Sequence, residues 1–341
     1  MSADAFVKPM LATLVDAPFD DEAWVFETKW DGFRLIAQAA PGHATLYSRN
    51  GKDVTADYPA IAAALAACRR PMVVDGELVA LDAEGRARFQ LLQQAKREGA
   101  RLRYCVFDLI FLDGRDLRGL PLIERKKRLK AALPRSNALV FSAHIAGAGI
   151  AAFRAAQEAH LEGVMGKRAD SLYQSGRRSP NWVKIKTGLR QEAVIVGFTA
   201  PKRAREYFGA LVLAVHETPA PSATAARRGA DKTSDKTSGF RFVGHVGSGF
   251  SADDLAALYE RLAPLKQARP AVAVTGVDAR PTTWVRPELV CEVKFTEWTA
   301  DGLMRHPVFM GLREDKSADD VVREVAAEAP RGSWRQTDLG G

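Results

Sequence analysis

The hydrophobic pattern changes character between residues 187 and 191, and the change predicts two domains. Before that point, β-branched and aromatic runs bounded by turn residues alternate with segments of helical periodicity. The pattern predicts strands at residues 24–28, 35–39, 72–81 and 104–112, and helices at 58–70, 89–98, 122–133 and 150–160. Mixed strands and helices of this kind indicate an α+β domain spanning residues 1–188.

Short strands dominate after the boundary. They are predicted at residues 192–198, 210–215, 240–246 and 289–295. A single helix interrupts them, and it begins at Ser251 with Asp254 three residues later, which is a capping-box arrangement. A few short strands with one helix predict a small β-barrel of the oligonucleotide-binding (OB-fold) type over residues 189–325.

Two segments have compositions that do not form a packed core. Residues 217–239 are rich in Ala, Thr, Ser and Pro and contain the sequence Asp-Lys-Thr-Ser twice, so we expect a disordered loop inserted between two strands. We also expect a flexible tail over residues 326–341.

Composition narrows the class of protein. A chain of 341 residues with 47% hydrophobic positions suits two globular domains. It contains no apolar run near the roughly 20 residues that cross a bilayer, and its start lacks the features of a signal peptide. Cys68, Cys105 and Cys291 are widely spaced among apolar neighbours, so we expect reduced core residues in a cytoplasmic, non-membrane protein.

Positive charge is concentrated in one region. The chain carries 49 Lys and Arg against 41 Asp and Glu, a formal charge of +8. Between Lys167 and Arg205 basic residues strongly outnumber acidic ones. Such a stretch favours a polyanionic partner such as nucleic acid, although a solvated basic face has the same pattern.

The segment from Glu27 to Arg34 contains the pattern Lys-x-Asp-Gly-x-Arg, which begins at Lys29. It places an amine nucleophile and a phosphate-binding guanidinium on either side of a tight Asp-Gly turn. A lysine attacks phosphorus only in its neutral form. Six residues of this kind also arise by chance on protein surfaces, so the pattern needs support from elsewhere in the chain.

Apolar and basic residues alternate over residues 182–186. In a strand this alternation places Lys184 and Lys186 on one face, roughly 7 Å apart, where they suit a polyphosphate. An edge strand with its lysines in solvent would have the same sequence.

Two isolated acidic residues follow or interrupt apolar segments. Glu77 lies in a predicted buried strand, and Glu162 comes directly after a predicted helix. One carboxylate together with substrate phosphates is a common way of binding Mg²⁺. Either residue is equally compatible with a structural ion pair.

Taken in order, these segments resemble the ATP-dependent DNA ligases of the covalent nucleotidyltransferase superfamily, most closely the ligase module of bacterial end-joining enzymes. The resemblance runs from Lys8 to Lys316 and includes an opening at residues 8–12 and an ending at 292–299, 303–307 and 313–316. It implies a nucleotidyltransferase (adenylation) domain of ligase type followed by an OB-fold domain. P-loop and Rossmann glycine patterns are absent from the sequence.

The resemblance implies a role for each residue around the nucleotide. Lys29 attacks the α-phosphate of ATP and forms a lysyl-AMP intermediate. Glu27 reads the adenine amino group and Phe107 stacks on the ring. Glu77 meets the ribose or a metal ion, and Glu162 helps to place Mg²⁺ or Mn²⁺.

The phosphates have their own implied ligands. Lys184 and Lys186 hold the α-phosphate, while Arg313 and Lys316 orient the leaving pyrophosphate from the second domain.

The remaining implied roles concern DNA. Arg34 and Arg49 engage the nucleotide and the 5′-phosphate of the break, and Lys294 binds DNA. The implied partners are nicked or broken double-stranded DNA and Ku, and we expect a monomer. An RNA ligase, or an inactive relative that only binds DNA ends, remains an alternative.

Overall fold

The computed structural model describes residues 6–82, 85, 87, 89, 91–92, 101–201, 206–216, 239–272 and 281–330. The disordered loop predicted at 217–239 lies outside these residues except for Gly239, as does most of the helix predicted at 89–98. The chain forms two compact units, one of Met1–Thr187 with Val325–Gly341 and the other of Gly188–Glu324. The division falls one residue before the predicted boundary.

The first unit combines strands and helices. Its described helices are α1 (Pro59–Ala66), α2 (Leu122–Ala132) and α3 (Gly149–Glu158), with a 3₁₀ turn at Thr55–Asp57. Its described strands are β1 (Leu11–Leu14), β2 (Asp21–Thr28), β3 (Phe33–Ala40), β4 (His43–Ser48), β5 (Met72–Leu81), β6 (Arg101–Leu112), β7 (Arg115–Asp116), β8 (Leu139–Phe141), β9 (His144–Gly147), β10 (Gly163–Arg168) and β11 (Arg178–Lys186).

These strands form two sheets. Sheet 1 has the order β1-β11-β10-β2-β9, and sheet 2 has the order β4-β3-β5-β6-β7 with β8 paired to β6. Most neighbours are antiparallel, but β1 with β11 and β6 with β8 are parallel. Successive side chains of a β-strand point to opposite faces of its sheet, so each sheet has two faces with different side chains.

One apolar cluster joins the two sheets. It contains Val25 and Trp182 from sheet 1 with Ile36, Val73 and Phe107 from sheet 2. We call the faces that meet in this cluster the inner faces. The outer face of sheet 1 packs with α3 in a second cluster, and that of sheet 2 packs with α1 in a third. Hydrophobic burial on both sides of each sheet therefore fixes which side chains point inward.

The described part of the second unit contains antiparallel strands and one α-helix, α4 (Ala252–Leu262), with 3₁₀ turns at Ala263–Leu265 and Ala318–Asp320. Sheet order is β14-β13-β12-β16-β15, and β17 pairs with both β12 and β20. Its described strands are β12 (Leu189–Thr199), β13 (Leu211–His216), β14 (Phe240–Val246), β15 (Lys266–Gln267), β16 (Thr282–Val285), β17 (Val290–Phe295), β18 (Glu297–Trp298), β19 (Met304–Arg305) and β20 (Val308–Leu312).

The start of α4 confirms the predicted capping box. The Asp254 N–H donates to Ser251 Oγ at 3.1 Å, and the Ser251 N–H donates to Asp254 Oδ2 at 2.9 Å. Both hydrogen bonds satisfy donors that a helix start otherwise leaves without intrahelical acceptors.

Residues 326–330, at the start of the predicted flexible tail, include two that form hydrogen bonds with the first unit. The Ala327 N–H donates to the Leu14 carbonyl at 2.9 Å, and the Asp16 N–H donates back to Ala327 O at 3.1 Å. The Ala329 N–H donates to Asp16 Oδ1 at 2.9 Å. We call residues 325–330 the C-terminal strap. These hydrogen bonds to Leu14 and Asp16 join the strap to the first unit, a long-range pairing that composition does not reveal.

Two further observations concern the cysteines and the lengths of the helices. Cys68, Cys105 and Cys291 are all free and buried, as predicted. No helix among the described residues has the length and apolar character needed to cross a bilayer.

Candidate active site

A row of chemically different side chains crosses the inner face of sheet 1. In β2 and its continuation, Val25, Glu27 and Lys29 alternate with residues that point to the outer face. Glu27 lies directly opposite Met165 in β10, which in turn lies opposite Lys184 in β11. Directly opposed residues share a face, so Glu27 and Lys184 both belong to the inner face.

Lys29 follows β2 and remains attached to β10, because its N–H donates to the Gly163 carbonyl at 3.0 Å. Its Nζ forms an ion pair with Glu162 Oε1. The Lys29 side chain is 17% exposed and that of Glu162 only 5%, so the carboxylate is the more enclosed partner. Among the described contacts, this ion pair links the predicted nucleophile to the predicted metal ligand.

Two glycines allow this approach. Gly163 has φ of +152°, and a Cβ there would lie 2.0 Å from the Ile185 carbonyl oxygen. Gly32 follows the Lys29 segment, and a Cβ at that position would lie 2.0 Å from the Leu78 carbonyl oxygen. Side chains at these positions would push the backbone away from β11 and β5. The glycines therefore set the depth at which Lys29 and Glu162 lie.

Glu27 is held by three donors from distant parts of the chain. Lys126 Nζ lies 2.7 Å from Oε1, Lys167 Nζ 3.0 Å from Oε2, and the Ser142 hydroxyl donates to Oε2 at 3.2 Å. We call these four residues the Glu27 cluster. Burial by itself raises the pKa of Glu27, but the ammonium groups of Lys167 and Lys126 outweigh burial and hold that pKa below its ordinary value. Glu27 is therefore an ionised acceptor.

Lys167 connects this cluster to two aromatic rings. Its Nζ lies 4.2 Å from the centre of the Phe107 ring and 4.3 Å from that of Trp182. Burial lowers the pKa of Lys167 to about 8, against the opposing attraction of the Glu27 carboxylate. The rings supply the negative faces that a buried cation favours.

The inner face of sheet 2 carries a second ion pair. Arg34 Nη2 donates to Asp75 Oδ2 at 2.7 Å, and the Tyr173 hydroxyl donates to the same oxygen at 2.7 Å. Burial alone lowers the pKa of the Arg34 guanidinium, but Asp75 outweighs burial and raises it. The Arg34 Cζ lies 4.6 Å from the centre of the Phe107 ring. Arg34 is thus a fixed cation on the ring that was predicted to stack on adenine.

Two other predicted residues lie on sheet 2, and a third follows one of its strands. Phe107 in β6 is 7% exposed and is contacted by Arg34, as described above. Glu77 in β5 is half-buried and lies directly opposite Arg34 in β3. Arg49 is half-buried in the turn after β4. The stacking, ribose and 5′-phosphate roles of these residues remain predictions.

β11 shows the alternation that its sequence predicts. Lys184 and Lys186 are half-buried, while Val183 and Ile185 are buried in the outer cluster with α3. The two lysines and Trp182 therefore share the inner face. The edge-strand alternative does not describe β11, because β1 and β10 pair with it on its two sides.

A divalent cation has a suitable but minimal ligand set here. The described residues contain no group of three or more His, Cys, Asp and Glu side chains that could hold a metal ion. The resemblance predicts instead one carboxylate with substrate phosphates, and the enclosed Glu162 oxygen at the Lys29 ammonium fits that arrangement because it already attracts a cation. Glu77 is the second predicted metal ligand, and it remains a prediction.

Arg313 and Lys316 lie in the second unit, within a network of ion pairs that we call the Arg313 cluster. Arg313 pairs with Glu292 and Asp315, each at 2.8 Å, and Lys316 pairs with Glu192 at 2.9 Å. Burial alone lowers the pKa of Arg313, but its carboxylate neighbours, Asp315 first, outweigh burial and raise it well above its ordinary value. The members of the cluster are Arg190, Glu192, Glu292, Arg313, Asp315 and Lys316.

Lys294, the predicted DNA ligand, is exposed on β17. Its neighbours in the strand, Val293 and Phe295, are buried in the core of the second unit. A lysine on the outward face of a strand is available to a phosphate backbone, and it is also an ordinary solvated residue.

Sequence reasoning missed Lys126 and Ser142. A signal for Lys126 was present, because Leu122, Lys126 and Leu129 occupy one face of the predicted helix. A lysine within an apolar helical face needs a buried acceptor. Nothing in the sequence identifies Glu27 as that acceptor.

Comparison with protein families gives two matches. The family model described as "ATP dependent DNA ligase domain" matches residues 9–186, and the model described as "ATP dependent DNA ligase C terminal region" matches residues 204–316. The two matched ranges cover much of both units in the predicted order.

Two curated proteins are similar in sequence to this chain. The multifunctional non-homologous end joining protein LigD of Pseudomonas aeruginosa is 42% identical over 335 residues, covering 96% of this chain and 37% of that protein. The corresponding DNA repair protein of Mycobacterium tuberculosis is 39% identical over 321 residues, covering 93% of this chain and 40% of that protein. The chain spans about two fifths of the length of these relatives.

A solved structure supports the fold. The structure of a mycobacterial DNA ligase D complexed with ATP and MES is 37% identical, with a TM-score of 0.66, and the match covers 93% of this chain and 98% of that chain. Together with the family models, this match confirms the predicted nucleotidyltransferase domain and OB-fold domain.

Proposed function

Because the chain belongs to the family of ATP-dependent DNA ligases, we propose that it joins a 5′-phosphate to a 3′-hydroxyl in DNA through a lysyl-AMP intermediate on Lys29. The observation that carries the proposal is the position of the Lys29 ammonium. It contacts Glu162 and lies two residues along β2 from the ionised Glu27. A nucleophile, a candidate base reader and a metal-binding carboxylate are therefore brought together by one strand and its neighbour.

The first step is attack on ATP. The Lys29 ammonium, which is paired with Glu162 Oε1, first loses a proton to solvent, because only the neutral amine is a nucleophile. The neutral amine forms a nitrogen–phosphorus bond to the α-phosphate while the bond from that phosphorus to the bridging oxygen of the β-phosphate breaks. Pyrophosphate is released, and the nitrogen gives up one further proton, which leaves with the pyrophosphate. Such displacements depend mainly on positioning and on neutralising charge.

The inner faces supply both requirements. Lys184 and Lys186 present two cations beside the row that contains Glu27. A bound Mg²⁺ or Mn²⁺ would be held by Glu162 and the phosphates of ATP, and it would supply positive charge that screens the phosphate oxygens. Arg313 and Lys316 orient pyrophosphate only after they exchange carboxylates for phosphate oxygens.

The later steps use DNA. The 5′-phosphate of a break displaces Lys29 from AMP, and the 3′-hydroxyl then displaces AMP to form the phosphodiester. Arg34 and Arg49 are the proposed ligands of the 5′-phosphate, and Lys294 contacts the duplex. Support comes from the positive charge of the chain, +8 overall.

We further propose a role in double-strand break repair. The relatives from Pseudomonas and Mycobacterium are named for non-homologous end joining. We also propose that the partners are broken DNA and Ku, that the protein lies in the bacterial cytoplasm at the nucleoid, and that it acts as a monomer. Ku should raise ligation of linear ends, and unchanged ligation with Ku would contradict this part.

The decisive experiment is covalent labelling. The protein is incubated with ATP labelled at the α-phosphate and Mg²⁺, then examined on a denaturing gel and by intact mass. We expect one AMP per chain, removed by added pyrophosphate, and no label on Lys29→Ala, which should still bind DNA. Labelling of the alanine variant would contradict the assignment of the nucleophile.

Two controls complete the test. Protein purified with AMP already attached is first stripped with pyrophosphate, so that absence of label has one meaning. The labelled protein is then given matched nicked duplexes of DNA and of RNA. Preferential sealing of RNA would replace the DNA ligase proposal with an RNA ligase.

A further inference from the structure

Lys126 is a buried lysine whose ammonium group contacts acceptors on three residues. It lies in α2 and is 1% exposed. Its Nζ contacts Glu27 Oε1 at 2.7 Å, the Ser142 carbonyl at 2.9 Å and the Phe107 carbonyl at 3.4 Å. An ammonium has three donors, and this one has three acceptors. Its orientation is therefore fixed.

Stability alone does not account for this charge. Lys126 shares a helical face with Leu122 and Leu129, and burying an ion pair there is often no more favourable than packing apolar residues of similar volume. What the ammonium adds is control of a carboxylate. Lys126 occupies Oε1 of Glu27, while Lys167 and Ser142 occupy Oε2, so the carboxylate plane cannot rotate.

The fixed carboxylate is close to the chemistry. Glu27 precedes Lys29 by two residues on the same face of β2, roughly 7 Å along the strand. The indole N–H of Trp30, next to Lys29, donates to the Ser142 hydroxyl at 3.2 Å, so Ser142 links the two positions. A change in the orientation of Glu27 therefore changes its hydrogen bond with a base bound beside Lys29.

We propose that Lys126 is a positioning residue that holds Glu27 as an oriented acceptor and thereby makes the nucleotide site selective for a purine with an amino group at C6. The inference rests on the proposed function, in which Glu27 reads the base. An ionised carboxylate accepts a hydrogen bond from a 6-amino group and repels a 6-oxo oxygen. Without Lys126, Oε1 has no fixed direction, and both effects weaken.

The test compares Lys126→Met with Lys127→Met. Methionine keeps a similar volume without the charge, and Lys127 is an exposed lysine on the same helix. Each protein is given ATP or purine riboside triphosphate, which carries hydrogen at C6 in place of the amino group. The KM and kcat for formation of the covalent lysyl-nucleotide are measured separately.

We expect Lys126→Met to lower kcat/KM for ATP by about tenfold to a hundredfold, mainly through KM, because a hydrogen bond to a charged group is weakened. With the analogue, wild type and variant should differ by less than about threefold, since the amino group is already missing. Discrimination against GTP should shrink by at least the factor of the ATP loss, because the repulsion of the 6-oxo oxygen weakens as well. Lys127→Met should match wild type with every nucleotide.

A purely structural role gives a different result. Equal losses with ATP and with the analogue would overturn the proposal, as would unchanged discrimination against GTP. If Lys126→Met does not fold by thermal melting, Ser142→Ala replaces it, because that change removes one neutral donor to Glu27 and no charge. It should lower kcat/KM about threefold to tenfold for ATP only, and an equal loss with the analogue would overturn the proposal. A wild-type protein that forms no covalent nucleotide contradicts the proposed function itself.

Discussion

The Glu27 cluster and the Arg313 cluster are inverse arrangements of the same interaction. In the first unit one carboxylate is held by two ammonium groups, and in the second unit one guanidinium is held by three carboxylates. The Glu27 cluster has more cations than anions. The Arg313 cluster balances three cations against three carboxylates.

Their burial differs as well. Side chains of Glu27, Lys126 and Lys167 are at most 2% exposed, whereas those of the Arg313 cluster range from 4% for Asp315 to 26% for Glu192. A sealed cluster cannot replace a lost partner with water, and a partly open one can. The comparison indicates that Glu27 has fixed partners, while the Arg313 cluster contains one carboxylate, Glu192, that water can replace as a partner of Lys316 and Arg313.

The largest expected effect comes from Glu27→Gln. This change keeps the shape and removes the charge, so two buried ammonium groups lose their carboxylate. We expect the free energy of unfolding of the first unit to fall by about 3–5 kcal/mol. Hydrogen exchange in urea, read separately for peptides of each unit, measures it.

The matched change in the second unit is Asp315→Asn. Arg313 then keeps Glu292 and Glu192, so the loss should be about 1–2 kcal/mol. Equal losses for the two variants would break the contrast between a sealed and a partly open cluster.

Lys167 gives the next largest effect, and it appears as a dependence on pH. Its pKa is about 8 in the folded protein against an ordinary 10.5, so between these values the unfolded chain binds more protons. The free energy of unfolding therefore rises with pH across this window, by about 2 kcal/mol from pH 7 to pH 9.5. Urea titrations at both pH values measure the rise.

Lys167→Met isolates this contribution. Buried Tyr104 and Tyr173, whose pKa values are raised by burial, act in the opposite direction at high pH in both proteins. The difference between wild type and variant should therefore change by about 2 kcal/mol over this range. A difference independent of pH would show that Lys167 does not titrate in this window.

The smallest effect is expected from Glu192→Gln. Glu192 is the most exposed carboxylate of the Arg313 cluster and pairs with Lys316 at 2.9 Å and Arg313 at 3.5 Å. The free energy of unfolding should fall by less than about 1 kcal/mol. The decrease should be smaller still in 1 M NaCl, where charges are screened within about 3 Å. A large decrease in the free energy of unfolding that salt does not change would show that the Arg313 cluster excludes water as the Glu27 cluster does.

Patterns within a single element were readable from the sequence. The strand at Met72–Leu81 has its predicted bounds, and the strand at Phe240–Val246 does as well. The alternation of Lys184 and Lys186 predicted a shared face correctly, because strand geometry has a period of two residues. Hydrophobic burial decides such local patterns.

Pairings between distant elements were not readable. Lys126 and Glu27 are separated by 99 residues, and Asp75 and Tyr173 by 98. No local pattern encodes which buried cation meets which carboxylate, since that depends on how two sheets and a helix pack. The predicted roles of Glu77, Arg49 and Phe107 likewise need a bound nucleotide or DNA.

The C-terminal strap makes the second unit an insertion within the first. The chain leaves the first unit after Thr187 and returns at Val325, and the returning strap forms hydrogen bonds with Leu14 at the end of β1 and with Asp16. On the ribosome, these hydrogen bonds form only after the whole second unit has been synthesised. Proteolysis tests the same topology, because one cut near residue 187 leaves the second unit covalently joined to the strap alone, and a second cut near residue 325 is needed to release it.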